Sequence, residues 1–280
     1  MYKRYMLLAL LLFILGCKKN TSNPTENKPD PTPPEKKGWN LVWSDEFNYK
    51  GLPDSTKWGY DVGGGGWGNN ELEYYTSMRK ENARVEDSVL VIEARLDNYM
   101  GHKYTSARIV STNKGDWTFG RFEIRAQVPG GKGTWPAIWM LPTNWTDGNG
   151  GWPDNGEIDI MEYVGYDKGK IHGSIHCNKY NWKQALQKTS ILSVPDAESK
   201  FHTYAMEWYA DRIDLYVDSI KYFTFKNEDT GWQAWPFYKN FHLLLNLAIG
   251  GSWGGAQGVD DNIFPRAMAI DYVRVYKWVD

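Results

Sequence analysis

The sequence predicts an all-β fold, a sandwich of two antiparallel sheets, and three observations carry that prediction. Apolar and polar residues alternate with period two in run after run, while no stretch sustains the 3.6-residue rhythm of an amphipathic helix. Between the runs stand turn clusters, GGGG at 63–66, PGGKG at 129–133 and DGNGGWPDNG at 147–156, whose glycines, prolines and asparagines punctuate strands. The composition adds 15 Trp, 18 Tyr and 28 Gly in 280 residues. That mixture suits aromatic platforms carried on glycine-rich loops, and so ligands with flat apolar faces such as sugar rings.

The first 38 residues stand apart from this pattern. Lys3 and Arg4 make a short basic start, Met6 to Leu15 form an unbroken apolar run, and Ile14-Leu15-Gly16-Cys17 follows. The run is too short to span a bilayer and reads as the core of a signal peptide over residues 1–16. Its end resembles the lipobox of bacterial lipoproteins, which implies cleavage before Cys17 and acylation of that cysteine. The segment 17–38 is rich in Pro, Lys, Asn and Thr with nothing to bury, and is expected to be a solvated tether. Residues 39–280 then form the folded domain, held by its lipid at a membrane of the bacterial cell envelope, on the outer membrane, the cell surface or the periplasmic side.

The formal charge is −2, and −4 once Lys3 and Arg4 leave with the leader, so nothing suggests a nucleic-acid partner. With Cys17 acylated, Cys177 is the remaining thiol and reads as a small buried hydrophobe. The sequence holds no phosphate-binding loop, no Cys/His metal-ligand spacing and no internal repeat.

Along the domain, Leu90, Ile92, Ala94 and Leu96 alternate with Val91, Glu93 and Arg95, and Phe122, Ile124, Ala126 and Val128 alternate with Glu123, Arg125 and Gln127. Ile213, Leu215 and Val217 lead into a turn at Asp218-Ser219 and a return strand 221–225, and the run 269–278 alternates again. Three strands carry unusual residues on one face. Trp135 and Trp139 share a face in TWPAIWMLP (134–142); His172, Ser174 and His176 share one in IHGSIHC (171–177); and Asn246 lies opposite Leu243, Leu245, Leu247 and Ile249 in FHLLLNLAIGG (241–251). Solvent exposure accounts for one histidine, but adjacent exposed tryptophans call for a ligand.

The strongest signal is GEIDIMEYVG at 156–165. Alternation puts Glu157 and Asp159 on one face, opposite Ile158 and Ile160, and leaves Glu162 with the wrong parity. An unpaired carboxylate on the apolar face would be costly. One extra residue between Asp159 and Glu162, a β-bulge, returns Glu162 to the acidic face. Two carboxyl groups at a sugar bond are the minimum for glycoside hydrolysis, one protonating the departing oxygen and the other attacking the anomeric carbon or activating water. Glu157 and Glu162 would stand roughly 13 Å apart at Cα, close enough for their side chains to lean together, with Asp159 between them to keep their protonation states apart.

The string EIDIME (157–162) resembles the catalytic signature of glycoside hydrolase family 16, in the longer, bulged form found in its laminarinases. The resemblance extends in order through LVWSDEFN (41–48), WGNNELEYYT (67–76), ARIVS (107–111), GRFEIRAQVPGGKGTWPAIWMLP (120–142), GSIH (173–176), FHTYAMEWY (201–209), NLAIGG (246–251) and DYVRVYK (271–277). It implies a β-jelly-roll sandwich with an open cleft across a concave sheet, and endo-hydrolysis of β-1,3-glucan such as laminarin with retention. It gives Glu157 the role of nucleophile, Asp159 that of assisting acid and Glu162 that of general acid/base. Trp135 and Trp139 match platform positions, and Asn69, Arg108, His176, Asn246 and Trp253 match or adjoin substrate contacts. No catalytic cofactor is implied, but Glu46 and Asp271 resemble a structural calcium site linking the first and last strands, with Ser88 where a glycine carbonyl usually serves. The polysaccharide is the implied partner and a monomer the expected state. Mixed-linkage β-1,3-1,4-glucan, an algal galactan, sugar transfer in place of hydrolysis, and non-catalytic glycan binding are the competing readings.

Overall fold

The computed structural model describes residues 38–279; the readings of residues 1–16 as a signal peptide, of Cys17 as lipidated and, but for Gly38, of 17–38 as a tether lie outside these residues. The described residues form two large sheets. The inner, eight-stranded sheet runs in the order Lys188–Ser193, Lys170–His176, Glu157–Glu162, Thr134–Pro142, Phe241–Ile249, Arg108–Val110 and Gly59–Asp61. These are called below the edge, histidine, acid, tryptophan, leucine and arginine strands, with Gly59–Asp61 last; Asp116–Trp117 adds a short pairing to the leucine strand. The outer, ten-stranded sheet is centred on Gly120–Gln127 and Arg266–Trp278, which pair with each other. One pairing departs from the antiparallel expectation: Glu73–Tyr75 runs parallel to His102–Ser106. The hairpin Ala83–Glu86 with Val89–Tyr99 intervenes in the chain and supplies the crossover a parallel pair needs.

The core lies between the sheets and is built as the alternation requires. Phe122, Ile124 and Ala126 of the outer sheet and Leu243, Leu245, Leu247 and Ile249 of the leucine strand are fully buried. Trp208 meets Phe241 across the gap edge to face, centroids 5.4 Å apart, a geometry that adds to the ~1.5–3 kcal/mol each large side chain gains from burial. Cys177 is buried as expected, and burial pushes its thiol up to about 11. On the outward face of the outer sheet, acids are matched with arginines. Arg121 binds Glu123 at 2.7 Å and also Glu207, Arg84 and Arg95 both hold Glu93, and Arg212 holds Asp214 at 3.0 Å.

The acid strand contains the bulge. Against the histidine strand, Asp159 pairs with Ser174 and Glu162 with His172, three steps against two. Against the tryptophan strand, Trp139 pairs with Asp159 and Ile138 with Met161, so Ile160 is the extra residue there. Ile158, Ile160 and Met161 are all buried in the core. The bulge frees the Ile160 carbonyl from the ladder, and the Tyr222 hydroxyl, from Ile220–Lys226 of the outer sheet, donates to it at 3.2 Å. Gly173 of the histidine strand makes room: a Cβ there would lie 2.3 Å from that hydroxyl.

Glu46 and Asp271, expected with Ser88 as calcium ligands, are each paired with an arginine. Both carboxylate oxygens of Glu46 accept from Arg274, at 2.8 and 2.7 Å, and Asp271 accepts from Arg125. A divalent ion at these carboxylates would meet a guanidinium on each, so the side chains as they stand do not fit it. Ser88 occupies the turn before Val89–Tyr99 with φ of +61°, a left-handed conformation that glycine adopts more readily.

Candidate active site

The cleft of about 730 Å³ opens on the outward face of the inner sheet, across the acid strand. Glu157, Asp159 and Glu162 all line it, so the bulge returns Glu162 to the face of the other two. Glu157 accepts from the Trp152 indole N–H at 2.7 Å through Oε2, and its Oε1 lies 3.9 Å from His176 Nε2. His176 Nε2 stands closer to Asp159 Oδ2, at 3.2 Å. Glu162 accepts from the Trp135 indole at 3.1 Å. Each glutamate thus has one indole donor on one oxygen.

Dry surroundings and mutual repulsion set the protonation. Burial, then the charge of Asp159, pushes Glu157 up from 4.5 to about 8, against the pull of His176 and the Trp152 N–H. Burial pushes Asp159 up from 3.8 to about 8. Burial followed by the charge of Asp159 holds Glu162 well above 4.5. In such a group the first ionisation discourages the next, and the protons leave as from one unit. The arrangement can therefore keep one carboxyl protonated near neutral pH beside an ionised one, which is the pairing that acid-assisted displacement at a sugar carbon requires.

The other residues expected from the sequence fall around these acids. Trp139 donates to Asn246 Oδ1 at 2.7 Å, and Asn246 donates to the Tyr75 hydroxyl at 2.9 Å. Arg108 lies between the Trp67 and Trp139 rings, 4.8 and 4.7 Å from their centroids, and pairs with Asp61 at 2.9 Å. Trp253 meets Trp135 and His172 edge to face, at 5.5 and 4.9 Å. Asn69 donates to Glu71 at 3.2 Å at the same end, its loop tied to the leucine-strand end by Ser252 N–H on the Asn69 carbonyl. All ten predicted catalytic and substrate-binding residues line one cleft.

Several cleft residues escaped the sequence reading. Trp152 sits inside the 147–156 cluster, which reads as turn punctuation; a tryptophan in so polar a loop, five residues before Glu157, was the available signal. The loop is anchored by buried Asn155, whose side-chain oxygen accepts from the backbone N–H of Thr146 and Asp147 and from Lys239. Trp67 and Glu71 lie in the WGNNELEYYT segment. Trp182 and Lys183 carry no local signal, since only the folded chain brings them to the cleft.

A jelly-roll sandwich with crowded carboxyl groups in a tryptophan-lined cleft defines a glycoside hydrolase. The chain belongs to glycosyl hydrolases family 16, whose model matches residues 70–274. It is 51% identical to a β-glucanase of Rhodothermus marinus, over 97% of this chain and 94% of that protein. The crystal structure of the laminarinase from Rhodothermus marinus superposes with a TM-score of 0.86 at 55% identity, covering 86% of this chain and 98% of that one. A non-specific endo-β-1,3(4)-glucanase of the family, crystallised as a mutant with an oligosaccharide at its active site, matches at 45% identity and a TM-score of 0.82, covering 86% of this chain and 96% of that one.

Proposed function

We propose that the protein is an endo-β-1,3-glucanase that cleaves laminarin-type glucans with retention. Glu157 attacks the anomeric carbon while Glu162 gives its proton to the departing oxygen. Glu162 then takes a proton from water, which displaces Glu157 and releases the sugar. Burial, and then negative charge shared by the neighbouring acids with Asp159 foremost, keeps Glu162 protonated in the first step. The observation that supports this reading is the bulge, which sets two glutamates of unequal surroundings on one cleft face. Azide separates the two roles. With an activated β-glucoside, Glu157→Ala should yield the α-azide, because azide replaces the nucleophile; Glu162→Ala should yield the β-azide from the intact glycosyl-enzyme. The opposite pairing would overturn the assignment.

Mixed-linkage β-1,3-1,4-glucan is a second reading, favoured by the likeness to the non-specific β-1,3(4)-glucanase. Rates on laminarin and lichenan side by side decide between them. Anchoring through Cys17 at the cell envelope and a monomeric state complete the proposal; full membrane association of a Cys17→Ala variant would remove the anchor from it. A structural calcium at Glu46, the Ser88 carbonyl and Asp271 is a separate proposal that rests on the resemblance of these positions; it requires Arg274 and Arg125 to release the two carboxylates, and a melting temperature unchanged by chelator would overturn it.

A further inference from the structure

The cleft extends past the acid strand in both directions, and its two arms are built differently. Toward the leucine and arginine strands the arm is interlocked, with Trp139 bonded to Asn246, Asn246 to Tyr75, and Arg108 clamped between two indoles. Toward the histidine and edge strands it is open. There Thr189 and Ile191 of the last strand of the sheet line it, with Gln187 just before that strand, and Trp182 and Lys183 stand at its rim.

Trp182 is 45% exposed, yet it is held firmly. It begins a short 3₁₀ turn, Trp182–Gln184, whose cap Asn181 is buried; the Asn181 side chain donates to the carbonyls of Cys177 and Asn178 and accepts from the Gln184 N–H. The Trp182 and Trp152 rings lie 6.0 Å apart at 42°. Lys183 Nζ sits 4.8 Å from the Trp152 centroid and 5.9 Å from that of Trp182. A large, partly exposed aromatic surface, set at a cleft rim by the buried Asn181 cap and flanked by an ammonium, is built to exchange that neighbour for a ligand.

Retaining cleavage asks different things of the two halves of its substrate. One half stays on the enzyme through both displacements, whereas the other must depart and let water in. The interlocked arm suits the first and the open arm the second. We propose that Trp182 and Lys183 form a sugar subsite on the leaving-group side, where a glucosyl ring stacks on the Trp182 indole and Lys183 swings aside to donate to a sugar hydroxyl. This rests on the glucanase reading above.

Initial rates on laminari-oligosaccharides from tetramer to heptamer, with product sizing, test it. Trp182→Ala should raise KM about 3- to 10-fold on the heptamer and leave the tetramer within twofold. It should also cut the yield of transfer products formed with added laminaribiose as acceptor. Lys183→Met should act the same way more weakly, and Trp182→Phe should keep most of the parent behaviour. An equal loss at every length, or none at any length, overturns the subsite while leaving the glucanase reading intact. If the parent enzyme cleaves no laminari-oligosaccharide, the glucanase reading fails and the subsite falls with it.

Discussion

Both sheets carry acids on their outward faces, and they surround them in opposite ways. On the outer sheet, Glu93, Glu123 and Asp214 each meet an arginine. On the inner sheet, Glu157, Asp159 and Glu162 meet indole N–H groups and an imidazole. A guanidinium fixes a carboxylate in its charged state and uses up its lone pairs. An indole donor orients the group and leaves its proton free to come and go. The same residue types therefore serve as fasteners on one face and reagents on the other, and the difference lies in the neighbour.

The largest test of that contrast removes a reagent. Glu157→Gln or Glu162→Gln should lower kcat on laminarin by roughly 10³-fold or more and leave the circular dichroism spectrum unchanged. Removing a fastener should do the converse. Arg121→Met takes a cation from buried Glu123 and from Glu207, and should lower stability in urea unfolding by about 1–3 kcal/mol while kcat holds. A smaller effect is expected from Trp152→Phe, which deletes the donor on Glu157. A hydrogen bond to a charged group is worth about 1.5–3 kcal/mol, so kcat/KM should fall roughly 10- to 100-fold. Because that N–H favours ionised Glu157, its loss should move the acidic limb of the pH profile upward.

The subtlest prediction concerns stability. Folding raises Glu157 from 4.5 to about 8, so the folded protein binds more protons than the unfolded chain in that window. Its stability contribution is intact below pH 4.5 and declines as pH rises toward 8. Glu157→Gln should therefore melt with the parent at pH 4 and above it at pH 8. A parent that outlasts the variant at pH 8 would show that the acids are not held at a cost.

Much of this was legible in the sequence because strand parity is a local rule. The paired tryptophans, the face of His172, Ser174 and His176, the position of Asn246 and the misfit of Glu162 all follow from counting by twos. Counting fails where placement depends on distant chain. Arg274 reaches Glu46 across 228 residues, and no local pattern reveals that a carboxylate offered to a metal already has a partner. Loops are equally opaque. Trp152 and Trp182 come to the cleft through the Asn155 and Asn181 anchors, and an asparagine in a polar loop looks the same whether or not it is one. The parallel pairing of Glu73–Tyr75 was hidden for a related reason, since a short strand's partner is chosen by topology.

The acid spacing also has a consequence for how such a site can be inherited or moved. Ile160, Gly173 and Tyr222 lie on three strands in two sheets, and each makes sense only with the others: the inserted residue strands a carbonyl, the tyrosine satisfies it, and the glycine admits the tyrosine. Grafting the hexapeptide EIDIME into another sandwich would carry across the three acids without the support that holds them in phase. The portable unit is a discontinuous trio, and drift at any one of its members is constrained by the other two.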